Sequence, residues 1–264
     1  MSRLDVYLTE NGLAKSRERA KAIIKEGKVT VNGKTCTKPA FDVSENDEVS
    51  ALPDELTYVG RGGLKLAKAF DEFRLNVKGL VCADIGASTG GFTQCLLEHG
   101  AKTVYAIDVG HGQLDKTLLS DKRVVNCEGV NARELTAGFF NEKIEFISID
   151  VSFISLELII KPVCDVVCEN GSIVALIKPQ FEAGKKALNK NGIVTDRKEH
   201  IKVIDKLLCA FNNAGLSVKG LVPSAITGGD GNIEYLVLLS KDNGAAGFEF
   251  DVSKIVNDAF LQFK

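Results

Sequence analysis

Long apolar runs are missing from these 264 residues. A membrane-spanning helix needs about 18 or more predominantly apolar residues in a row. The nearest approach, residues 156–177, is broken by Glu157, Lys161, Asp165 and Glu169. No apolar stretch follows Arg3, so no secretion signal is read there, and a cytoplasmic protein without a membrane partner is expected. Proline is scarce, with five residues, and the 25 glycines form no low-complexity run. That excludes collagen-like and largely disordered chains. The seven cysteines, at 36, 82, 95, 127, 164, 168 and 209, form no C-x-x-C pair, and the histidines stand apart. Reduced thiols are expected, with no disulfide framework and no metal requirement. A chain of this length can bury a large core, as one large domain or two unequal ones.

An excess of positive charge is also missing. The net charge is −2, which over the whole chain argues against a nucleic-acid binder. The average hides two blocks. Residues 1–38 carry nine Lys or Arg and four acids, a local +5, whereas residues 39–59 carry six acids and no base. The basic block has structure written into it. Residues 3–11 read as a short helix. Ser16 can cap a second helix over 17–26, with Ala20, Ile23 and Ile24 on its buried face, and Gly27 ends it. Val29-Thr30-Val31 and Asn32-Gly33 read as a strand and tight turn, and residues 47–49 as a closing strand. This stretch resembles the RNA-binding domain named after the fourth small-subunit ribosomal protein. The resemblance implies RNA contacts from Arg3, Lys15, Arg17, Arg19, Lys21 and Lys28.

Residues 51–60 read as a linker between a small domain, 1–50, and a large one, 61–264. In the large domain a helix over 63–73 precedes alternating strands and helices. Strands are expected at 80–86, 103–109, 123–127, 144–150, 172–177, 217–222 and 233–239, and helices at 92–99, 155–169 and 197–213. The pattern predicts an α/β fold, a doubly wound, seven-stranded and mostly parallel sheet that binds ligands at the carboxyl ends of its strands.

The first large-domain strand runs into Asp84-Ile85-Gly86-Ala87-Ser88-Thr89-Gly90-Gly91-Phe92. Three ligands or chemistries fit in part. A nicotinamide loop would want glycine where Ser88 stands. A serine hydrolase elbow fits Gly86-Ala87-Ser88-Thr89-Gly90, with His200 downstream, but the strands that normally precede such an elbow are missing. An S-adenosylmethionine loop needs an acid before the first glycine, small residues for close approach and a helix start. Asp84, Gly86, Ser88, Thr89, Gly90, Gly91 and Phe92 supply these. Asp108 after the second strand suits ribose hydroxyls, and Asn131 after the third suits an adenine edge.

Lys65, Asp150, Lys178 and Glu234 form a series at the ends of elements. This K-D-K-E series resembles the FtsJ-type ribose 2′-O-methyltransferases. With the basic module, and with R-G-G-x-K-L, D-I-G-A-S-T-G-G-F-T, D-V-S-F-I-S-L, K-P-Q-F-E and G-N-x-E-Y in order, the chain resembles the TlyA family of rRNA ribose methyltransferases, also called hemolysins. The resemblance implies a Rossmann-like class I methyltransferase domain and an α+β RNA-binding domain. It also implies S-adenosylmethionine as cofactor, ribosomal RNA or ribosomal subunits as partner, and a monomer. Lys178 would be the base for a ribose hydroxyl and Lys65 its companion cation, with Asp150 and Glu234 orienting them. Gly60 departs from the serine usual before R-G-G, which bears on the linker. Phe153 and Tyr235 flank the acids and read as core residues more than as stacking surfaces. A membrane-acting hemolysin and an RNA-binding protein with a degenerate methyltransferase fold are the competing functions.

Overall fold

A computed structural model describes residues 2–14, 17–25, 27–44, 46–51, 58–242 and 250–263. The chain divides into two compact units, residues 1–57 and 58–264.

In the small unit, β1 (Ser2–Arg3) leads into α1 (Leu4–Glu10). Then come α2 (Arg17–Lys25), β2 (Val29–Val31), β3 (Lys34–Thr35), β4 (Asp42–Val43) and β5 (Val49–Ala51). Ala20, Ile23 and Ile24 of α2 pack with Leu4, Leu8, Val29, Val31 and Val43. After α2 the amides of Gly27 and Lys28 donate to Ile24 O and Ile23 O, both at 3.0 Å, with Gly27 at φ +73°. This is the glycine-dependent stop that the sequence suggests. Asn32 and Gly33, at φ 51° and 73°, make the two-residue turn from β2 to β3. The closing strand starts later than expected. The Asp47 carboxylate accepts from the Ser44 amide and the Asn32 side chain, which makes it part of the turn before β5. Ala51, expected in the linker, pairs with Val29. Lys15, Ser16 and linker residues 52–57 lie outside the described residues.

In the large unit, α3 (Gly62–Phe73) precedes β6 (Val81–Ile85), α4 (Gly91–Glu98), β7 (Thr103–Asp108), α5 (Lys116–Leu119) and β8 (Val124–Glu128). The chain continues through β9 (Ile144–Ile149), α6 (Ile160–Val166), β10 (Val167–Ile177), α7 (Pro179–Glu182), α8 (Arg197–Asn213), β11 (Ser217–Pro223), β12 (Tyr235–Ser240) and α9 (Val252–Gln262). The sheet order is β11-β12-β10-β9-β6-β7-β8, seven strands, with β12 antiparallel to both neighbours and the other pairs parallel. This is the expected α/β, Rossmann-like sheet. Side chains alternate between its faces. Ile173, Ala175 and Ile177 join Val163, Leu207, Phe211 and Val256 on one face. Val174 and Leu176 join Leu66, Phe70 and Leu96 on the other.

Two expectations change. The helix expected over 155–169 is a 3₁₀ turn, Leu156–Leu158, followed by α6, and the chain is already in β10 at Val167, paired with Ile144. Ser155 starts the turn by accepting the Glu157 amide, and the helical path ends where Val167 joins the ladder. α9 lies beyond the last element expected from the sequence. It buries Val252, Val256 and Ala259, and Asp251 caps it by accepting the Lys254 amide at 2.9 Å.

Chain order reverses between β6 and β9. One half winds outward through β7 and β8, the other through β10. A crevice forms at such a switch point, beyond the carboxyl ends of the strands.

Candidate active site

β6 hands its chain to the glycine-rich loop at Gly86. Its φ is +83°, and a Cβ there would lie 2.4 Å from Asp150 O. Only glycine fits so close to the end of β9. Gly91 is similar, since a Cβ would lie 2.8 Å from Gly63 N at the start of α3. Gly90 caps α4. The loop therefore packs backbone to backbone on the segments that carry Asp150 and Lys65.

A cleft of about 490 Å³ opens here, lined by Gly86, Ser88, Asp108, Val109, Asn131, Arg133, Asp150, Ser152 and Phe153 among others. Its volume is in the usual range for a small-molecule site. Asp108 accepts the amides of Ser88 at 2.8 Å and Gly110 at 2.7 Å, one on each carboxylate oxygen. Each oxygen keeps a second lone pair for a ligand hydroxyl. Asn131 lines the cleft and caps the next turn by accepting the Arg133 amide. A narrower cleft of about 170 Å³ is lined by Gly60, Arg61, Gly62, Thr89, Gly91, Phe92 and Lys178. It shares Gly86, Ser88, Asp150 and Ser152 with the first.

Asp84 is elsewhere. It is fully buried beneath the loop and lines neither cleft. Thr93 Oγ1 donates to one oxygen at 2.7 Å and Ser148 Oγ to the other at 2.9 Å. Burial pushes its carboxyl up to about 7 against those two bonds, with a further upward push from Asp150. Asp84 joins β6, α4 and β9; expected as a cofactor contact, it supports the loop from below.

The four charged residues come together as two ion pairs. Lys178 Nζ lies 2.6 Å from Asp150 Oδ1 and donates to Ser152 Oγ at 2.9 Å. Lys65 Nζ lies 2.6 Å from Glu234 Oε2, with Lys65 and Glu234 only 7% and 2% exposed. Gln180 connects the pairs. It stands two residues after Lys178 and donates from Nε2 to Glu234 Oε1 at 3.1 Å. The strands set this meeting. Asp150 directly follows β9, Lys178 directly follows β10, and Glu234 directly precedes β12, where Ile177 pairs with Tyr235.

Ser152 lies in the D-V-S-F-I-S-L motif and Gln180 and Glu182 in K-P-Q-F-E, where the sequence alone assigns them no role. Glu182 accepts from Ser155 Oγ at 2.6 Å and from the Leu156 amide at 2.8 Å, which ties the turn after Lys178 to the loop after Asp150. Burial raises the Glu182 carboxyl against both bonds.

Tyr235 is fully buried, as expected, but Phe153 is 91% exposed. Phe153 has φ +63°, and its ring centroid lies 4.9 Å from that of Phe181. The reading of Phe153 as core is therefore wrong, because the tight turn after Asp150 swings it into solvent. Gly60 also bears on more than the linker. A Cβ there would lie 2.6 Å from Thr89 Oγ1, so the departure from serine reaches the cleft. His200 is buried with both ring nitrogens occupied, Nδ1 facing Tyr235 Oη and Nε2 facing Val194 O, each at 2.9 Å. Burial lowers its pKa, and no ring nitrogen is left to serve Ser88 as a base. That removes the hydrolase reading.

In the small unit, Asp5 is fully buried and holds two guanidiniums. Arg3 Nε lies 3.0 Å from Oδ1 and Arg17 Nη2 lies 3.1 Å from Oδ2. The bond from Arg3 is the main reason that its pKa is lowered. The two arginines are about half exposed. Arg19, Lys21 and Lys28 are half-buried. Among the described residues, no group of His, Cys, Asp and Glu is placed to hold a metal, and no helix is long and apolar enough to cross a membrane.

A doubly wound sheet with a glycine loop at its switch point and a charged tetrad beside it defines a methyltransferase of the Rossmann-like class. Residues 58–241 match the FtsJ-like methyltransferase family and residues 2–49 match the S4 domain. The chain is 36% identical over 262 residues to the 16S/23S rRNA (cytidine-2′-O)-methyltransferase TlyA of Mycobacterium tuberculosis, covering 97% of this chain and 98% of that one. It is 42% identical over 235 residues to Hemolysin A of Brachyspira hyodysenteriae, covering 89% and 98%. A solved hemolysin-like chain from Streptococcus thermophilus superimposes with a TM-score of 0.82 at 42% identity, covering 99% and 96%. The chain belongs to the TlyA group of FtsJ-like methyltransferases.

Proposed function

We propose that this enzyme transfers a methyl group from S-adenosylmethionine to a ribose 2′-hydroxyl of ribosomal RNA. The observation that carries the reading is the pair of ion pairs, Lys178 with Asp150 and Lys65 with Glu234, beside a cofactor-sized cleft. The family and the activity in the relative's name support the substrate class. So does the small unit, whose half-exposed arginines can reach phosphate.

The cleft fits the cofactor. Gly86 leaves room for close backbone approach, and Ser88, Thr89, Gly90, Gly91 and Phe92 build the loop and the start of α4. Asp108 would accept from the ribose hydroxyls and Asn131 would meet the adenine edge. When bound, S-adenosylmethionine supplies an electrophilic methyl group. Lys178 then takes the proton of the target 2′-hydroxyl. Asp150 and Ser152 hold the Lys178 Nζ in place at the site. Lys65 and Glu234 keep the neighbouring charge balanced, and Gln180 holds the pairs in register. The exposed Phe153 ring offers the target base a stacking face at the rim. The remaining acceleration is positioning, with the oxygen held in line with the methyl.

Lys178→Ala is expected to slow methyl transfer by about 10²–10⁴-fold, the range for loss of a general base. Cofactor affinity, measured by calorimetry, should stay near that of the parent. Full activity in the variant sinks the assignment. Mapping alkali-resistant ribose positions in rRNA, with and without the protein, identifies the nucleotide and the subunit. The enzyme is proposed to act as a cytoplasmic monomer. The hemolysin name suggests a second reading. Lysis of protein-free vesicles that persists in Lys178→Ala would favour it.

A further inference from the structure

The G-N-x-E-Y motif has one residue in the tetrad, Glu234. Its other two side chains, Asn232 and Tyr235, converge on a different place. Asn232 is 2% exposed. It accepts the Val194 amide at 3.1 Å and donates to Gly192 O at 3.1 Å. Tyr235 bonds His200, and His200 in turn bonds Val194 O. Nε2 faces a carbonyl, so Nε2 carries the proton and Nδ1 accepts from the tyrosine hydroxyl. Three buried polar side chains therefore hold the backbone of residues 192–194.

What they hold is a hairpin that follows α7. Leu188 pairs with Val194, and Asn189 Oδ1 accepts the amides of Asn191 and Ile193 at 2.8 and 3.0 Å. Gly184 and Gly192 take the left-handed positions, at φ 76° and 75°. Residues 184–194 contain Lys185, Lys186 and Lys190 and no acid. All three lysines are exposed, and none makes a side-chain ion pair or hydrogen bond with a described residue. A surface loop anchored at its base by buried polar groups, with unpartnered cations along it, is shaped to receive negative charge.

We propose that the 184–194 hairpin is a phosphate-binding arm that grips the RNA backbone beside the target nucleotide. The inference rests on the proposed reaction, because the hairpin shares its supports with Glu234 and follows the turn that carries Lys178. RNA is favoured over an anionic lipid surface for that reason. The arm takes the ribose-phosphate chain by charge alone, which adds affinity without reading sequence.

The test is the Lys185→Gln/Lys186→Gln/Lys190→Gln variant of the full chain, with transcribed 16S and 23S rRNA as probes. Each lost phosphate contact should reduce the slope of log affinity against log salt by about 0.7–0.9. At moderate salt, binding is expected to weaken by about tenfold or more, with cofactor affinity unchanged. Tyr235→Phe, which frees the His200 ring but keeps the lysines, should weaken RNA binding less and leave the slope near that of the parent. Unchanged RNA affinity and slope in the triple variant overturns the arm. So does a loss confined to phosphatidylserine vesicles. The reaction is tested separately. Lys178→Ala is expected to lose turnover yet keep RNA affinity, so failure of the arm and failure of the reaction give different results.

Discussion

Both units bury carboxylates, but they satisfy them in different ways. In the small unit Asp5 is held by two arginines that stay about half in water. In the large unit Glu234 is held by Lys65, which is itself buried, and by the Gln180 amide. Asp84 has no cation within its hydrogen-bonding shell and relies on neutral donors, the hydroxyls of Thr93 and Ser148 and the Thr93 backbone. The contrast separates three tasks. An acid that holds exposed cations presents them to a partner. An acid paired with a buried cation keeps a site neutral and fixed. An acid satisfied by neutral donors, with no cation, is the one that titrates near neutrality.

Breaking each arrangement should have its own size and signature. The largest effect is expected from Glu234→Gln, which leaves the Lys65 ammonium buried without a counter-charge. Removing one partner of a buried pair costs about 3–5 kcal/mol. Denaturant midpoints should report that loss, and Lys65→Met in the same background should recover much of it. A Glu234→Gln variant as stable as the parent would mean that the Lys65 pair is dispensable.

Asp84→Asn comes next and is visible only against pH. The folded Asp84 carboxyl is pushed up to about 7, above its value in the unfolded chain near 4. Between those values the folded state holds a proton that the unfolded state releases. Stability should therefore fall as pH rises through the window, by at most about 1.4 kcal/mol per pH unit, and level off above it. Asparagine, which cannot ionise, should remove this part of the slope. Identical stability profiles for parent and variant from pH 4 to 8 would contradict the assignment.

The smallest effect on stability is expected from Asp5→Asn. Its cations are half in water, and such pairs contribute up to about 1 kcal/mol. Bonds to Arg3 and Arg17 hold the Asp5 carboxyl below the usual range. The contribution is therefore present above the ordinary carboxylate pKa and lost as pH falls through the depressed value. The larger change should be in rRNA affinity, because the two guanidiniums lose their shared anchor. Unaltered RNA binding would show that Asp5 organises the fold of the small unit but not its contact surface.

Strands were legible where apolar residues dominate, as in Val81–Ile85, broken only by Asp84, and Ile144–Ile149, broken by Glu145 and Ser148, because a central parallel strand is buried on both faces. The tetrad was legible through the FtsJ-type resemblance, with Asp150, Lys178 and Glu234 at strand ends and Lys65 in the helix before the first large-domain strand. Two features were not, and a third, α9, lies outside the elements expected. Asp84 sits beside a glycine loop, and the motif could not show that Thr93 and Ser148 fold beneath it. Phe153 lies in a run of apolar residues and serines, and the left-handed turn after Asp150 sends its ring outward. α9 carries Val252, Ile255, Val256, Ala259 and Phe260 at amphipathic helical spacing, a signal that the sequence does hold, and it packs on α8 and β11. For Asp84 the deciding partners fold in from other elements, whereas Phe153 is decided by its own backbone turn.

Asp150, Lys178 and Glu234 are each the first residue beyond a ladder of backbone hydrogen bonds. Catalytic competence is then a gauge of strand integrity. Slow amide exchange along β10 and β12 and methyl transfer should be lost together on heating, while exchange at the exposed edge strand β8 can rise earlier without loss of turnover. A variant that separates the two, active with β10 and β12 already exchanging, would mean that the loops hold the tetrad without the sheet.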